Sequence, residues 1–231
     1  MTSVFFLIII GAFVYFFVFA EIFQIKIIQI SGTEKVQKGD LETILGENID
    51  RKIFIFSTKS IFLINLSDVT KTILEKFPQI YQVHLKREFP DALTLGIQER
   101  KPLYVFCKDS TPCFYLDEKG VIFEEVFGTE APFLKIKDIR TQEIKLRGNV
   151  VKEELLNGIK EIDGKLKEKT EISPEEIVLF EQKIEVQTVQ DLKIFFNPKE
   201  NISKQIQKLI LTLENEIPQE KRGNLDYIDL R

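Results

Sequence analysis

Val4 to Ala20 reads VFFLIIIGAFVYFFVFA, seventeen apolar residues in succession, and no charged residue occurs before Glu21. As a helix at about 1.5 Å per residue the run spans roughly 25 Å, and it extends through Ile22 and Phe23 if the Glu21 side chain reaches back to water. That length suits one membrane crossing. Two other readings stay open. A cleaved signal peptide would use Val18-Phe19-Ala20 as its small-x-Ala site. A buried core helix would ordinarily show a polar face, which this run lacks. The expectation is a transmembrane anchor over residues 4–23 behind a cytoplasmic stub of residues 1–3. Charge does not orient it, because no Lys or Arg precedes the run and Lys26, Lys35 and Lys38 follow it.

The rest of the chain has an ordinary globular composition. Of 231 residues, 44% are hydrophobic and 29% charged, which excludes wholesale disorder. The net charge of −4 argues against a protein that coats nucleic acid. It is spread evenly: residues 21–99 carry ten basic and eleven acidic side chains, and residues 100–231 carry 22 and 25. Neither part is polarised enough to name a charged ligand. Glu99-Arg100-Lys101-Pro102, where charge and a proline interrupt two strand-like runs, is the candidate joint between two domains.

Before the joint, Phe23 to Ser31 alternates apolar and polar residues and ends at the Ser31-Gly32 turn signal. Lys38 to Leu45 reads as a short helix with Leu41, Ile44 and Leu45 on one face and Gly46 as its stop. Asn48 to Phe56 reads as extended. Ser67 is the expected N-cap of a helix presenting Val69, Ile73 and Leu74, closed by Pro78. Tyr81, Val83 and Leu85 then alternate with Gln82, His84 and Lys86. After a Phe89-Pro90-Asp91 turn, Leu93, Leu95 and Ile97 alternate in the same way. The unit is β-α-α-β-β.

Beyond the joint the chain is mainly strands. Leu103 to Phe106 and Cys113 to Leu116 bracket a hairpin loop at Lys108-Asp109-Ser110-Thr111-Pro112. Asp117-Glu118-Lys119-Gly120 turns into Val121 to Val126, and Pro132 to Ile136 is a further strand. Helices are expected over Val151 to Lys169, with Leu155, Ile159, Ile162 and Leu166 inward, and over Ile202 to Leu213, with Ile206, Leu209, Ile210 and Leu213 inward. Between them lie strands at Ile177 to Phe180, Ile184 to Gln187 and Leu192 to Phe196. Leu225 to Arg231 alternates and reads as a last strand.

No pattern carries catalysis, and no catalytic residue, metal site or cofactor is expected. The single histidine, His84, has no nucleophile or carboxylate partner by motif. Glu124-Glu125, Glu153-Glu154 and Glu175-Glu176 are pairs of the kind any charged surface shows. No GxGxxG and no Cys-x-x-Cys-His occurs. Cys107 and Cys113 flank the hairpin loop and could pair as a disulfide; the other reading is two small buried thiols. The last strand, with Tyr227, Asp226, Asp229 and Arg231, either closes the sheet or presents an unpaired edge to a partner strand.

The order of segments is itself informative. An apolar N-terminal run is followed by a β-α-α-β-β unit containing Ile30-Ser31-Gly32, Lys76-Phe77-Pro78 and Val83-His84-Leu85-Lys86-Arg87-Glu88-Phe89-Pro90. The Glu99-Arg100-Lys101-Pro102 joint, Phe114-Tyr115-Leu116-Asp117-Glu118-Lys119-Gly120-Val121-Ile122-Phe123 and the terminal Tyr227-Ile228-Asp229-Leu230-Arg231 complete the set. Over essentially its whole length the chain resembles the FtsQ/DivIB family of bacterial cell-division proteins.

The resemblance implies an α+β protein: an N-terminal transmembrane helix, a POTRA domain at 24–99, then an FtsQ-type, mainly antiparallel β domain with two helices at 100–231. It implies a single-pass protein of the cell membrane at the division septum, with its bulk extracytoplasmic. It implies a non-enzymatic divisome scaffold that binds FtsB- and FtsL-type proteins and other septal divisome proteins, no nucleic acid, and helps regulate septal peptidoglycan synthesis. In the family the partner adds a strand to the last strand of the β domain, so Tyr227, Ile228, Asp229, Leu230 and Arg231 become candidate interface residues. The POTRA unit is linked in the family to septal recruitment. Phe195 and Phe196, on the preceding strand, are as readily core. Two departures stand out. The family's longer basic N-terminal tail is nearly absent, and the family continues past the arginine matching Arg231, so either the chain is cut short there or the contact is smaller. Two competing functions follow from the same residues: a POTRA-containing docking protein of an assembly or secretion system, which would need a following β-barrel, and a membrane-anchored cell-wall enzyme, which would need a nucleophile or metal site.

Overall fold

The computed structural model describes residues 2–53, 56–108, 112–127, 132–141, 144–217, 222 and 225–231, with side chains from residue 4 onward. The chain divides into two compact units, Met1–Arg100 and Lys101–Arg231.

The first unit opens with α1 (Thr2–Phe19), whose described side chains are almost all exposed and apolar. The anchor expected over 4–23 is not found. Among the described residues no helix is long and apolar enough to cross a membrane. The physical reason lies at the end of the helix. Ala20 turns extended at φ −64°, ψ 132°, and Glu21–Phe23 form a separate 3-10 turn. The last carbonyls of α1 are taken by side chains of the following domain. Thr58 Oγ1 (2.6 Å) and Gln24 Nε2 (2.9 Å) donate to the Val18 carbonyl, and Ser60 Oγ donates to that of Phe17 (2.9 Å). Phe23, counted with the apolar run in the sequence, packs instead against the core of the unit. Ser60 is 1% exposed, and Ser60→Ala is expected to remove its bond to the Phe17 carbonyl at a cost of about 1 kcal/mol. Amide exchange at Ala20, whose N–H bonds the Phe16 carbonyl, should quicken roughly fivefold.

Next come β1 (Ile27–Ser31), α2 (Lys38–Ile49), a small hairpin of β2 (Arg51–Ile53) and β3 (Phe56–Thr58), α3 (Leu66–Lys76), β4 (Ile80–Glu88) and β5 (Ala92–Glu99). The sheet order is β1-β5-β4, with β1 parallel and β4 antiparallel to the central β5. Leu41, Ile44, Leu45 and Ile49 of α2 and Val69 and Ile73 of α3 bury against Ile80, Leu93, Leu95 and Ile97. Gly46 does not stop α2: the helix runs a further turn because Ile49 is buried in the same core. That turn and the hairpin replace the extended segment expected at 48–56, of which 54 and 55 lie outside the described residues. The N-cap of α3 is Asn65 rather than Ser67; its Oδ1 accepts from the amides of Ser67 (3.1 Å) and Asp68 (3.4 Å). Two charged side chains pin loops to the sheet. Arg87 donates to the carbonyls of Ile61 (2.8 Å) and Ile64 (2.7 Å). Glu99 accepts from the amides of Glu34 (2.8 Å), Lys35 (3.0 Å) and Val36 (3.0 Å).

The second unit contains β6 (Tyr104–Lys108), β7 (Phe114–Leu116), β8 (Ile122–Glu125), β9 (Lys135–Asp138), α4 (Glu153–Lys169), β10 (Pro174–Leu179), β11 (Ile184–Thr188), β12 (Lys193–Phe196), α5 (Ile202–Asn215) and β13 (Tyr227–Asp229). Its eight strands order as β13-β12-β11-β10-β9-β6-β7-β8. The sheet is mixed, with antiparallel pairs in the majority. The pairs β6–β9, β9–β10 and β12–β13 are parallel and the other four are antiparallel. The reason is connectivity. α4 joins β9 to its neighbour β10, and α5 joins β12 to its neighbour β13, so each helix is a crossover that returns the chain in the same direction. The inner faces of both helices build the core: Leu156, Ile159, Ile162 and Leu166 with Ile206, Leu209 and Leu213, against Phe106, Ile177, Ile194 and Phe196. Leu156 takes the position expected of Leu155, which is only partly buried. At Gly120, φ is +77° and an added Cβ would stand 2.0 Å from the Val151 carbonyl oxygen, so this turn admits only glycine.

Candidate functional site

β13 is the outermost strand at one end of the eight-stranded sheet. It lies parallel to β12, with Lys193 beside Tyr227, Ile194 beside Ile228 and Phe195 beside Asp229. The Lys193 amide donates to the Asp226 carbonyl (3.2 Å), and the Leu230 amide donates to the Phe195 carbonyl (3.0 Å). Backbone groups of successive strand residues point to opposite edges. Asp226, Ile228 and Leu230 therefore face β12, while the N–H and C=O of Tyr227 and Asp229 face outward. Among the described residues these outward groups have no backbone partner. The sheet's other end is different. Ile122 of β8 donates to Gly148 (3.2 Å) and accepts from Arg147 (2.8 Å), so the 147–149 segment covers that edge.

The five residues expected at the interface separate by face. Tyr227 is 60% exposed, and Asp229 and Arg231 are exposed beside it. Leu230 is 5% exposed in the core, and Ile228 packs partly buried against that core. The latter two seat the strand; the former three face water. Phe196 is fully buried, but Phe195 lies on the outer face, its ring centroid 5.7 Å from that of Tyr227. Arg231 Cζ stands 5.5 Å from the Phe195 centroid, and Lys183 Nζ stands 4.6 Å from it and 4.1 Å from that of Phe180. Phe180 and Lys183 belong to the turn between β10 and β11, a part of the site that sequence reasoning missed. Period-two alternation of β12 already placed Phe195 opposite in face to Phe196, and that signal could have found it.

Charges on this face are matched locally. Arg231 grips Asp229 through Nε–Oδ1 (2.9 Å) and Nη2–Oδ2 (2.7 Å). The hydrogen bond from the guanidinium outweighs burial and holds the Asp229 carboxyl down to about 2. Glu185 is 7% exposed. Burial pushes its pKa up, and hydrogen bonds from Lys183 (2.8 Å) and Gln187 (3.3 Å) outweigh that and leave it lowered. Lys193 adds a second ion pair to it at 3.5 Å. The result is an aromatic surface with locally paired charges next to an open backbone edge, suited to holding an extended peptide.

Elsewhere, Cys107 and Cys113 are joined, with an S–S distance of 2.03 Å and Cα atoms 4.3 Å apart. The tip of that hairpin loop, 109–111, lies outside the described residues. His84 is exposed on the open face of the first sheet, opposite Gly96.

Residues 23–100 match the family described as POTRA domain, FtsQ-type. The chain is 29% identical over 104 residues to the cell division protein DivIB of Clostridium tetani (strain Massachusetts / E88), which is 45% of this chain and 35% of that protein. It is 26% identical over 102 residues to the cell division protein FtsQ of Koribacter versatilis (strain Ellin345), 44% of this chain and 26% of that protein. The chain is therefore similar, over its first unit, to FtsQ-type POTRA domains and to cell division proteins of the DivIB and FtsQ kind. The matched stretches span only about a third and a quarter of these two relatives, and the family match falls on the first unit. The open edge of β13 lies outside the residues that the family domain matches.

Proposed function

We propose that this chain is a non-enzymatic scaffold of bacterial cell division that binds FtsB- and FtsL-type partners by strand addition to β13. Its first unit is the POTRA domain and its second an FtsQ-type β domain. It works outside the cytoplasm at the division septum and there helps to regulate septal peptidoglycan synthesis. Its similarity to the cell division proteins DivIB and FtsQ supports the process. The joined cysteines accord with an oxidising compartment. The observation that carries the binding mode is the outward, unpartnered backbone of Tyr227 and Asp229, among the described residues, beside the exposed Tyr227 ring and the half-buried Phe195 ring. Such an edge offers four main-chain hydrogen bonds, each contributing about 0.5–1.5 kcal/mol net.

The test is co-elution of the full chain with the FtsB- and FtsL-type ectodomains encoded in the same genome. A stable complex supports the reading. Separate elution of both ectodomains at micromolar concentration contradicts it.

A further inference from the structure

Arg231 has the same parity as Tyr227 and Asp229, so its N–H also points away from β12. Unlike theirs, it is already occupied: it donates to Asp229 Oδ1 at 3.1 Å. The same carboxylate receives Nε (2.9 Å) and Nη2 (2.7 Å) of Arg231, whose guanidinium lies over the Phe195 ring. Asp229 thus satisfies the third outward donor of the strand from within the strand. A partner chain that extended its pairing to residue 231 would have to displace a charge-assisted bond and offer only a neutral carbonyl in return. Edge strands are commonly blunted by charged side chains, and here the block stands at one defined position.

We propose that Asp229 sets the register of strand addition, closing the edge of β13 at Arg231 so that an added strand engages the backbone of Tyr227 and Asp229 alone. This rests on the strand-addition reading above. The kind of partner that fits is a short extended segment, with two of its residues opposite Tyr227 and Asp229. An ordinary surface ion pair would hold the two side chains together without limiting where a partner stops.

The experiment is backbone amide exchange by NMR on the full chain, free and with the recombinant FtsB-type ectodomain, together with the affinity of D229A. In the wild type, complex formation should slow exchange at Tyr227 and Asp229 and leave Arg231 unchanged. In D229A the protection should extend to Arg231, and affinity should rise roughly twofold to tenfold, the range that one exposed charge-assisted bond supports. The Ile228 amide faces β12 and reports whether β13 stays seated; where D229A loosens it, D229L keeps a side chain of similar bulk without an acceptor and serves for the same comparison. Slowed exchange at Arg231 in the wild-type complex overturns the proposal, as does unchanged or weaker affinity with Ile228 still protected. Either result leaves strand addition standing. A complex that protects no amide of β13 overturns the strand-addition reading itself.

Discussion

Tyr227→Pro is expected to lower the affinity for an FtsB-type ectodomain roughly 10- to 100-fold, the range for leaving a partner's acceptor unsatisfied. Proline removes the N–H that faces outward and projects its ring where an added strand would lie. It removes no bond to β12, because the inward groups belong to Asp226, Ile228 and Leu230. Tyr227→Ala separates the two contributions of this residue: it loses the ring against Phe195 but keeps the donor, and should cost less. Ile228→Pro should act differently, loosening β13 from β12 and unseating Leu230. Titration of the three variants by calorimetry reads the order. Equal affinities for Tyr227→Pro and Tyr227→Ala would mean that the main chain of residue 227 is not the contact.

Glu99→Ala is expected to destabilise the first unit by about 2 kcal/mol, within the range of about 1.5–3 kcal/mol for hydrogen bonds to a charged group. The carboxylate gathers the amides of Glu34, Lys35 and Val36 and so fixes the segment between β1 and α2 to the end of β5. Water reaches the exposed amides of Glu34 and Lys35, which keeps the loss from being larger. Burial alone would raise the Glu99 pKa; the three amides and the nearby Lys35 charge outweigh it and hold the group below its ordinary 4.5. A carboxyl whose folded pKa lies below its unfolded one stabilises fully above the unfolded value, and that contribution is lost as pH falls through the folded value. The wild type should therefore lose this increment in acid below about pH 4.5, and Glu99→Ala should show a flatter profile there. Amide exchange at Leu93 and Leu95 of β5 should be about 30-fold faster in Glu99→Ala at neutral pH and should converge with the wild type in acid. Equal exchange rates at neutral pH would show that the cradle contributes nothing.

The first unit was legible because its elements obey one period each. Leu93, Leu95 and Ile97 alternate on a strand, and Val69 and Ile73 repeat on a helix, so pattern and burial coincide. Errors arose where tertiary packing overrides a local signal. Gly46 carries helix because Ile49 has a core to enter. Asn65 caps α3 because its side chain reaches two amides, a choice that adjacent polar residues do not reveal. The apolar run was read as longer than the helix because Phe23 counts as apolar whether it faces lipid or, as here, the core of its own domain. In the second unit α4 and α5 were visible from their spacing, but their role as crossovers was not. Strand direction depends on which strands become neighbours, and periodicity within a strand carries no information on that. The same limit explains the candidate site. The alternation of residues 225–231 placed Tyr227, Asp229 and Arg231 on one face, while Lys183 and Phe180 reach that face only through the pairing of β10, β11 and β12.

Photo-crosslinking locates the partner on the eight-stranded sheet. A benzophenone amino acid replaces Tyr227 on the open edge or Glu124 on β8 at the opposite end of the sheet, in the full chain mixed with the FtsB-type ectodomain. A crosslinked species is expected from position 227 and none from position 124. Crosslinking from 124 alone, or from neither position in a mixture that co-elutes as a complex, would contradict strand addition at β13.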